Sequence, residues 1–338
     1  MHTEGPRINK KLDRITNLSH YAGMQVIELI DRATGPAFSF EIVPPPRGRS
    51  IQDVLEVVDC LMPVKPQWID VTSHSSSAYF HENKDGTITR KTYRKRPGTL
   101  GICGVIQNRY KVDTVAHVLC LGFTREETED ALIELGYLGV ENILAIRGDS
   151  PNFEKKVSRD RSTNGYAADL VRQIVDLRNG HFLDELSHST SLNFCVGVAG
   201  YPEKHFEAAN LEIDIDYLKA KCDAGADYIV SQMFFDNSKF FAFVDACRKA
   251  GIKVPILPGL KVLKSPGQLK SVPRTFHIDL PSQLAQEIRS NPDHAEEIGI
   301  RWAAKQTREL LEKGFKNVHY YVMNDAHLVR KAIELADR

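Results

Sequence analysis

Short apolar runs alternate along the chain with segments whose apolar residues recur at helical spacing. The runs are rich in Val, Ile, Phe and Tyr and lack regular polar alternation, which is typical of strands buried on both faces. We predict eight such strands, at Ala37–Val43, Trp68–Thr72, His117–Cys120, Asn142–Arg147, Leu192–Ala199, Asp227–Gln232, Val254–Gly259 and Asn317–Tyr321. Strands of this kind belong to parallel sheets that are covered by helices.

Capping residues mark where several of the intervening helices begin and end. Thr124 and Glu127 have the spacing of a capping box, in which each side chain accepts from the other residue's amide, and Gly136 is the expected end of that helix. Similar signals predict helices over 236–251, 291–314 and 326–336.

An uninterrupted alternation of strands and helices predicts an α/β fold and favours a (β/α)8 or TIM barrel, with a doubly wound sheet as the alternative. No linker divides it, so we expect a short polar N-terminal extension over 1–35 and one barrel domain over 36–338. Irregular inserts are expected at 81–98 and 149–163. Both follow strands, at the end where barrels carry their active sites.

The composition says little more about the fold, but it excludes several classes of function. The 338 residues contain 44 Lys and Arg and 44 Asp and Glu, so the formal net charge is zero. Nucleic-acid partners and membrane surfaces usually require a surplus of positive charge, and we expect neither. The six cysteines stand mostly in apolar runs without metal-ligand spacing, and no targeting segment is recognisable. These features predict a cytoplasmic protein with no metal site.

Polar side chains at the predicted strand ends are the candidates for chemistry. Glu41 lies in an apolar strand, where burial would raise its pKa and make it a general acid, or else it pairs with a cation at the barrel rim. Arg147-Gly148-Asp149 either binds a ligand or forms a surface turn, and Gln232 binds either a planar heterocycle or the backbone. Lys261 suits a Schiff base, but a solvated lysine is the favoured reading.

Familiar nucleotide and hydrolase motifs are missing from the sequence. It contains no G-x-G-x-x-G after the first strand, no P-loop, no H-E-x-x-H and no G-x-S-x-G. Scattered groups at the barrel end must therefore hold any redox or phosphate ligand.

Several motifs in order make the chain resemble the methylenetetrahydrofolate reductase family, most closely its single-domain bacterial type. They are Phe38-Ser39-Phe40-Glu41 before prolines, Asn142-Ile143-Leu144-Ala145-Ile146-Arg147-Gly148-Asp149, Tyr166-Ala167-Ala168-Asp169-Leu170, Tyr201-Pro202-Glu203-Lys204-His205, Asp223-Ala224-Gly225-Ala226-Asp227, Gln232-Met233-Phe234-Phe235-Asp236 and Pro255-Ile256-Leu257-Pro258-Gly259. The resemblance runs from about residue 36 to residue 325.

The resemblance implies a (β/α)8 barrel that holds FAD non-covalently. Such enzymes pass a hydride from NADH or NADPH to the flavin and then to 5,10-methylenetetrahydrofolate, by ping-pong kinetics. The product, 5-methyltetrahydrofolate, feeds methionine synthesis in one-carbon metabolism. We expect the small-molecule folate as substrate and a homo-oligomer as the assembly.

Site residues follow from the matching motifs. The resemblance makes Glu41 the general acid that opens the imidazolidine ring and places Asp149 beside the flavin, where its charge stabilises the iminium cation. Gln232 would bind the pterin. The positions that match FAD contacts are Thr72, His117, Arg147, Gly148, Asp149, Tyr166, Ala167, Ala199, Tyr201, His205, Asp214 and Lys221.

Two positions depart from the family pattern. Pro266 stands where members often carry an aromatic residue after the seventh strand, and Asp325 stands where an Arg often follows the last strand. Both departures affect residues that would contact the substrate. The alternatives to a self-contained reductase are a pterin-binding barrel that transfers a methyl group and a flavin barrel reduced by a partner protein.

Overall fold

The computed structural model describes residues 23–74, 77–93, 96–148, 161–323 and 325–337. Within these ranges the strands are β1 Ala37–Ile42, β2 Trp68–Val71, β3 Ser77–Glu82, β4 Ile88–Tyr93, β5 Asp113–Leu119, β6 Asn142–Ile146, β7 Cys195–Gly200, β8 Tyr228–Ser231, β9 Ile256–Leu257, β10 Gly259–Leu260 and β11 Asn317–Met323. The helices are α1 Val26–Arg32, α2 Ile51–Leu61, α3 Thr99–Tyr110, α4 Arg125–Tyr137, α5 Ala167–Arg178, α6 Leu211–Asp223, α7 Asn237–Lys249, α8 Gln268–Phe276, α9 Ser282–Ser290, α10 Ala295–Glu312 and α11 Ala326–Ala336.

The parallel strands form one sheet in the order β10-β11-β1-β2-β5-β6-β7-β8-β9. β9 pairs with β8, β10 pairs with β11, and only Pro258 separates β9 from β10. The seventh predicted strand is therefore one strand in two pieces, and it closes the sheet on itself. The predicted (β/α)8 barrel is confirmed, and the doubly wound alternative, which would leave two open edges, is wrong.

The capping residues place helices as the sequence predicts, with one shift. Thr124 accepts a 3.0 Å hydrogen bond from the Glu127 amide, and Glu127 accepts a 2.8 Å bond from the Thr124 amide. The helix continues past Gly136 to Tyr137, and the chain turns instead at Gly139, whose φ is 72°. Gly139 adopts the left-handed conformation that glycine favours, so it is the residue that follows the helix end.

Helix α1 lies in the segment that was expected to be a polar extension. Val26 and Leu29 of α1 form a buried cluster with residues on the inner face of the barrel, including Trp68 and Tyr228. The Val26 amide donates to the Asn142 side chain at 2.8 Å. Helix α1 therefore covers the amino-terminal end of the barrel, and the 35/36 domain boundary stays a prediction.

The insert after β2 is a β-hairpin where an irregular loop was expected. β3 and β4 pair antiparallel, and the connecting turn includes Gly86 at φ 80°. The sequence carries a signal for it, because Asp85-Gly86 between β-forming residues is a typical hairpin turn. The 149–163 insert lies largely outside the described residues.

None of the helices in the described ranges has the length and apolar character needed to cross a membrane.

Helix α1 plugs the amino-terminal end of the barrel, and we expect this plug to contribute measurably to the stability of the protein. Leu29→Ala removes apolar atoms that are buried against the barrel floor, and we expect the free energy of unfolding to fall by about 2–3 kcal/mol in urea titrations. Glu28→Ala, on the exposed side of the same helix, is the matched control and should change it by less than about 0.5 kcal/mol. Equal effects of the two substitutions would contradict the plug.

Candidate active site

Strand alternation divides the barrel residues between the core and the interior of the barrel. In β1, Phe38, Phe40 and Ile42 pack in the main core between sheet and helices, so Ser39 and Glu41 point into the barrel. The same alternation brings one inner residue from each strand to the carboxyl-terminal mouth. These residues are Glu41, Thr72, Leu119, Ile146, Ala199, Gln232, Lys261 and Tyr321.

A buried cluster of ionisable groups lies at and below this mouth. The His117 Nε2 atom is 3.7 Å from the Glu41 Oε2 atom and 3.6 Å from the Asp70 Oδ1 atom. His117 and Asp70 are buried, and Glu41 is largely so. One N–H cannot point at both carboxylates at once, so the His117 Nε2 atom can donate a hydrogen bond to Glu41 or to Asp70 but not to both.

A second imidazole extends the cluster deeper into the barrel. The His319 Nδ1 atom is 3.7 Å from the Asp70 Oδ2 atom and 2.9 Å from the Ser39 hydroxyl. Burial lowers the pKa of His319, although the charge of Asp70 opposes the shift. The cluster thus runs from Glu41 at the mouth through His117 and Asp70 to a histidine that favours its neutral form.

Burial has opposite effects on the acid and the base at the top of this cluster. It raises the pKa of Glu41 to about 7, against the charge of His117, which lowers it. Burial alone would lower the pKa of His117, but the contact with Asp70 and the charges of Glu41 and Asp70 raise it. Near neutral pH, Glu41 therefore exists in both protonation states, as a proton donor requires.

The positions expected to contact a flavin form a second cluster beside the mouth. The Lys221 ammonium donates to the Ala199 carbonyl at 2.5 Å and lies 6.0 Å from the centre of the Tyr201 ring. The Tyr201 and His205 rings are 4.7 Å apart, and the His205 amide donates to Asp214 at 2.9 Å. The structure brings these five predicted residues together.

Charges within the second cluster are partly desolvated. Burial lowers the pKa of Lys221 to about 8, while Asp214 opposes the shift. Burial also raises the pKa of Asp214 and lowers that of His205. Cationic and hydrogen-bonding groups held this way suit the phosphates and hydroxyls of a nucleotide ligand.

The strand-four loop is described up to Gly148. The Arg147 guanidinium pairs with Glu207 at 2.5 Å and acts on the pKa of His205, so Arg147 belongs to the second cluster. Gly148 has a φ of 90°, which favours glycine at this turn. Asp149 lies outside the described residues.

Tyr166 and Ala167 lie at the start of α5. Tyr166 is 69% exposed, and its amide donates to Asp169. The described contacts of Tyr166 are local, and they do not join it to the Lys221 cluster.

Gln232 lies at the mouth with its amide group oriented. Its Oε1 atom accepts a 2.9 Å hydrogen bond from the Met233 amide. Among the residues the structure describes, its NH₂ group has no hydrogen-bond partner and is left to donate to a ligand.

Lys261 was expected to be solvated, and this expectation is wrong. Its side chain is buried just after β10, because Leu260 before it packs in the core and turns Lys261 towards the barrel interior. The two departures from the family pattern lie nearby. Asp325 binds the exposed Lys264 at 2.7 Å, and Pro266 is exposed at the loop surface.

Sequence reasoning gave no role to Asp70, His319 or Tyr321. The alternation of side chains along a strand was the available signal. Asp70 lies two residues from Thr72, and His319 lies two residues from Tyr321, so the members of each pair face the same side of the sheet. In the described part of the chain, no three His, Cys, Asp or Glu side chains are arranged to hold a metal ion.

Comparison with known proteins gives a consistent family match. The family model described as methylenetetrahydrofolate reductase matches residues 26–337. Methylenetetrahydrofolate reductase 1 of Schizosaccharomyces pombe is 31% identical over 88% of this chain and 45% of its own length. The Escherichia coli 5,10-methylenetetrahydrofolate reductase is 28% identical over 86% of this chain and 87% of its own length. The chain thus spans about half the length of the eukaryotic relative and most of the bacterial one.

A solved structure shares the fold. An uncharacterised protein from Clostridium thermocellum, described as binding two copies of 5-methyl-5,6,7,8-tetrahydrofolic acid, aligns with a TM-score of 0.54 at 12% identity. The alignment covers 93% of this chain and 98% of that one.

The raised pKa of Glu41 predicts a pH-dependent stability. The Glu41 pKa is about 7 in the folded protein against an ordinary 4.5, so the folded protein binds the proton more tightly than the unfolded chain does. The free energy of unfolding should therefore fall as the pH rises through this window, and Glu41→Gln should abolish that loss. We expect the variant to gain up to about 3 kcal/mol on the wild type between about pH 5 and about pH 8. Urea unfolding of both proteins measures the difference, and a constant difference would refute the shift.

The contact between Asp70 and His117 predicts a shift visible by NMR. Asp70→Asn keeps the side-chain shape but removes a charge that raises the pKa of His117, so that pKa should fall. Titration of the imidazole resonances measures it. Ser39→Ala, which removes the partner of His319 instead, is the control and should leave His117 unchanged. An unshifted His117 in Asp70→Asn would show that the two groups are not coupled.

Proposed function

Because the chain belongs to the methylenetetrahydrofolate reductase family, we propose that it reduces 5,10-methylenetetrahydrofolate to 5-methyltetrahydrofolate with NADH or NADPH and non-covalent FAD. The observation that carries the proposal is Glu41, a largely buried carboxyl group at the barrel mouth whose pKa burial raises to about 7. Ring opening of the substrate needs a proton donor at its departing nitrogen, and Glu41 is such a donor at neutral pH.

The second cluster fits the cofactor. Arg147 and Lys221 supply cationic donors for phosphate oxygens, and Asp214 is an acceptor for hydroxyl groups. Tyr201 and His205 add aromatic surface. We assign FAD binding to these residues together with Thr72, His117, Gly148, Asp149, Tyr166, Ala167 and Ala199. When bound, the flavin supplies hydride transfer between the nicotinamide and the folate, which predicts ping-pong kinetics.

Glu41 gains and loses its proton in a prepared electrostatic environment. Protonated Glu41 donates from its carboxyl group to the substrate nitrogen, and the product is a carboxylate beside the His117 imidazole. The charges of Asp70 and Glu41 raise the pKa of His117, and its protonated form would stabilise the new carboxylate. Asp70 favours that protonated form of His117 and thus acts on Glu41 through it.

Two further residues would hold the substrate. The free NH₂ group of Gln232 can donate to an acceptor on the pterin, since its oxygen is already engaged by the Met233 amide. Asp149 would place negative charge near the cation that forms at the one-carbon unit, where opposite charge lowers the barrier.

Family membership also motivates the cellular proposals. We place the enzyme in the cytoplasm as a homo-oligomer whose product feeds methionine synthesis.

The test of the function is an anaerobic two-step experiment. The purified protein should show blue flavin absorbance that bleaches with NADH or NADPH, and 5,10-methylenetetrahydrofolate should then restore it. A colourless protein would favour the alternative of a methyl-transferring pterin barrel. A flavin that bleaches only when a partner protein is added would favour the alternative of a flavin barrel reduced by that partner.

Glu41→Gln tests the role of the acid. It should leave flavin reduction by the nicotinamide unchanged and slow folate-dependent reoxidation by about 100-fold or more, the usual contribution of a general acid. Glu56→Gln, an exposed glutamate on α2, is the matched control and should retain both steps. Unimpaired folate turnover in Glu41→Gln would refute the acid role.

A further inference from the structure

Lys261 points into the mouth of the barrel. Leu260 packs in the core between sheet and helices, and side chains alternate along a strand, so Gly259 and Lys261 face inward. A Cβ atom on Gly259 would lie 2.7 Å from the Tyr321 ring, which confirms the inward direction at that position. Lys261 is two residues nearer the mouth.

The Lys261 side chain is largely buried, and its ammonium has no partner among the residues that the structure describes. The residue is only 5% exposed, yet within residues 23–74, 77–93, 96–148, 161–323 and 325–337 it makes no hydrogen bond and has no carboxylate within 4.0 Å. Asp325, which acts on it electrostatically, is bound to Lys264 instead. Lysine side chains are rarely packed this deeply, and an ammonium at the mouth that no described residue pairs can donate to a ligand.

The electrostatic surroundings of Lys261 connect it to the acid. Burial lowers the pKa of Lys261, whereas the charges of Asp325 and Glu41 raise it and that of Lys264 lowers it again. Its charge in turn lowers the pKa of Glu41. Lys261 and Glu41 therefore face the same space at the mouth.

We propose that Lys261 is a substrate-binding residue whose ammonium donates to an acceptor oxygen of the folate, an inference that rests on the proposed function. The bound folate would supply the partner that the described residues do not provide, and it is the substrate on which Glu41 acts. Two kinds of oxygen share this chemistry, the carbonyl oxygens of the pterin and benzoyl groups and the carboxylates of the glutamate tail.

Lys261→Met keeps the length of the side chain and removes its charge. Because a hydrogen bond from a charged donor is lost, we expect the dissociation constant of 5-methyltetrahydrofolate, measured by calorimetry on the flavin-loaded enzyme, to rise at least about tenfold. The KM for 5,10-methylenetetrahydrofolate should rise in parallel. The rate of flavin reduction by the nicotinamide should stay within about twofold of wild type, a split that a general structural defect would not produce.

Lys264→Met is the matched control. It removes a lysine from the same loop that is exposed and bound to Asp325, and it should change folate binding by less than about twofold. A second variant, Lys261→Arg, restores the charge and should recover more of the affinity than Lys261→Met.

A ligand without its glutamate tail identifies the acceptor. If Lys261→Met weakens 5-methyltetrahydropteroate as much as the full ligand, the acceptor is an oxygen of the pterin or of the benzoyl group, which this ligand keeps as a benzoate. If the loss disappears with this ligand, the acceptor is a glutamate carboxylate, and both results support the proposal.

Two outcomes overturn the proposal while leaving the proposed function intact. In the first, Lys261→Met binds folate with a dissociation constant within about twofold of that of a wild type that does bind folate. In the second, Lys261→Met loses as much affinity for the nicotinamide nucleotide as it loses for folate. A wild-type protein that binds no folate at all would instead overturn the proposed function and this inference with it.

Discussion

An imidazole between two buried carboxylates is the interaction on which the rest of the site depends. Without His117, the Glu41 and Asp70 carboxylates would repel each other in a medium that screens charge poorly. The His117 imidazole between them can accept a proton near neutral pH, and its positive charge then offsets the negative charge of the carboxylates. The pKa of about 7 for Glu41 is the balance of burial against this neighbour.

Strand alternation makes such a cluster possible in a stable protein. The residues on the helix side of β1, Phe38, Phe40 and Ile42, build an apolar core that does not require the inner positions. The inner positions can then hold polar groups whose burial would otherwise destabilise the fold. Helix α1 completes the arrangement because Val26 and Leu29 cover the floor and keep water away from the lower end of the barrel.

Local sequence patterns predicted the strands and helices, which depend on interactions between nearby residues. The place of α1 and the burial of Lys261 depend instead on closure of the barrel. Apolar runs and capping residues such as Thr124 located the strands and helices, since propensity and hydrogen bonds to nearby amides act over a few residues. Helix α1 spans only seven residues, and its place depends on the barrel floor, which provides the surface for Val26 and Leu29. Lys261 looked like an ordinary surface lysine because its burial depends on β10 pairing with β11, a contact made by distant parts of the chain.

Packing rather than ion pairing fixes Lys261 at the mouth. The pair between Lys264 and Asp325 ties the loops after β10 and β11 together, but its members are 42% and 15% exposed, and such pairs contribute only about 0–1 kcal/mol. The backbone nearby is held more firmly. A Cβ atom on Gly299 of α10 would lie 1.9 Å from the Leu263 carbonyl oxygen, so only glycine lets the loop lie directly against this helix. Leu263 is itself buried, and the chain between it and β10 has little freedom to move. The backbone that carries Lys261 is therefore in place before a ligand arrives, so binding does not have to order this loop.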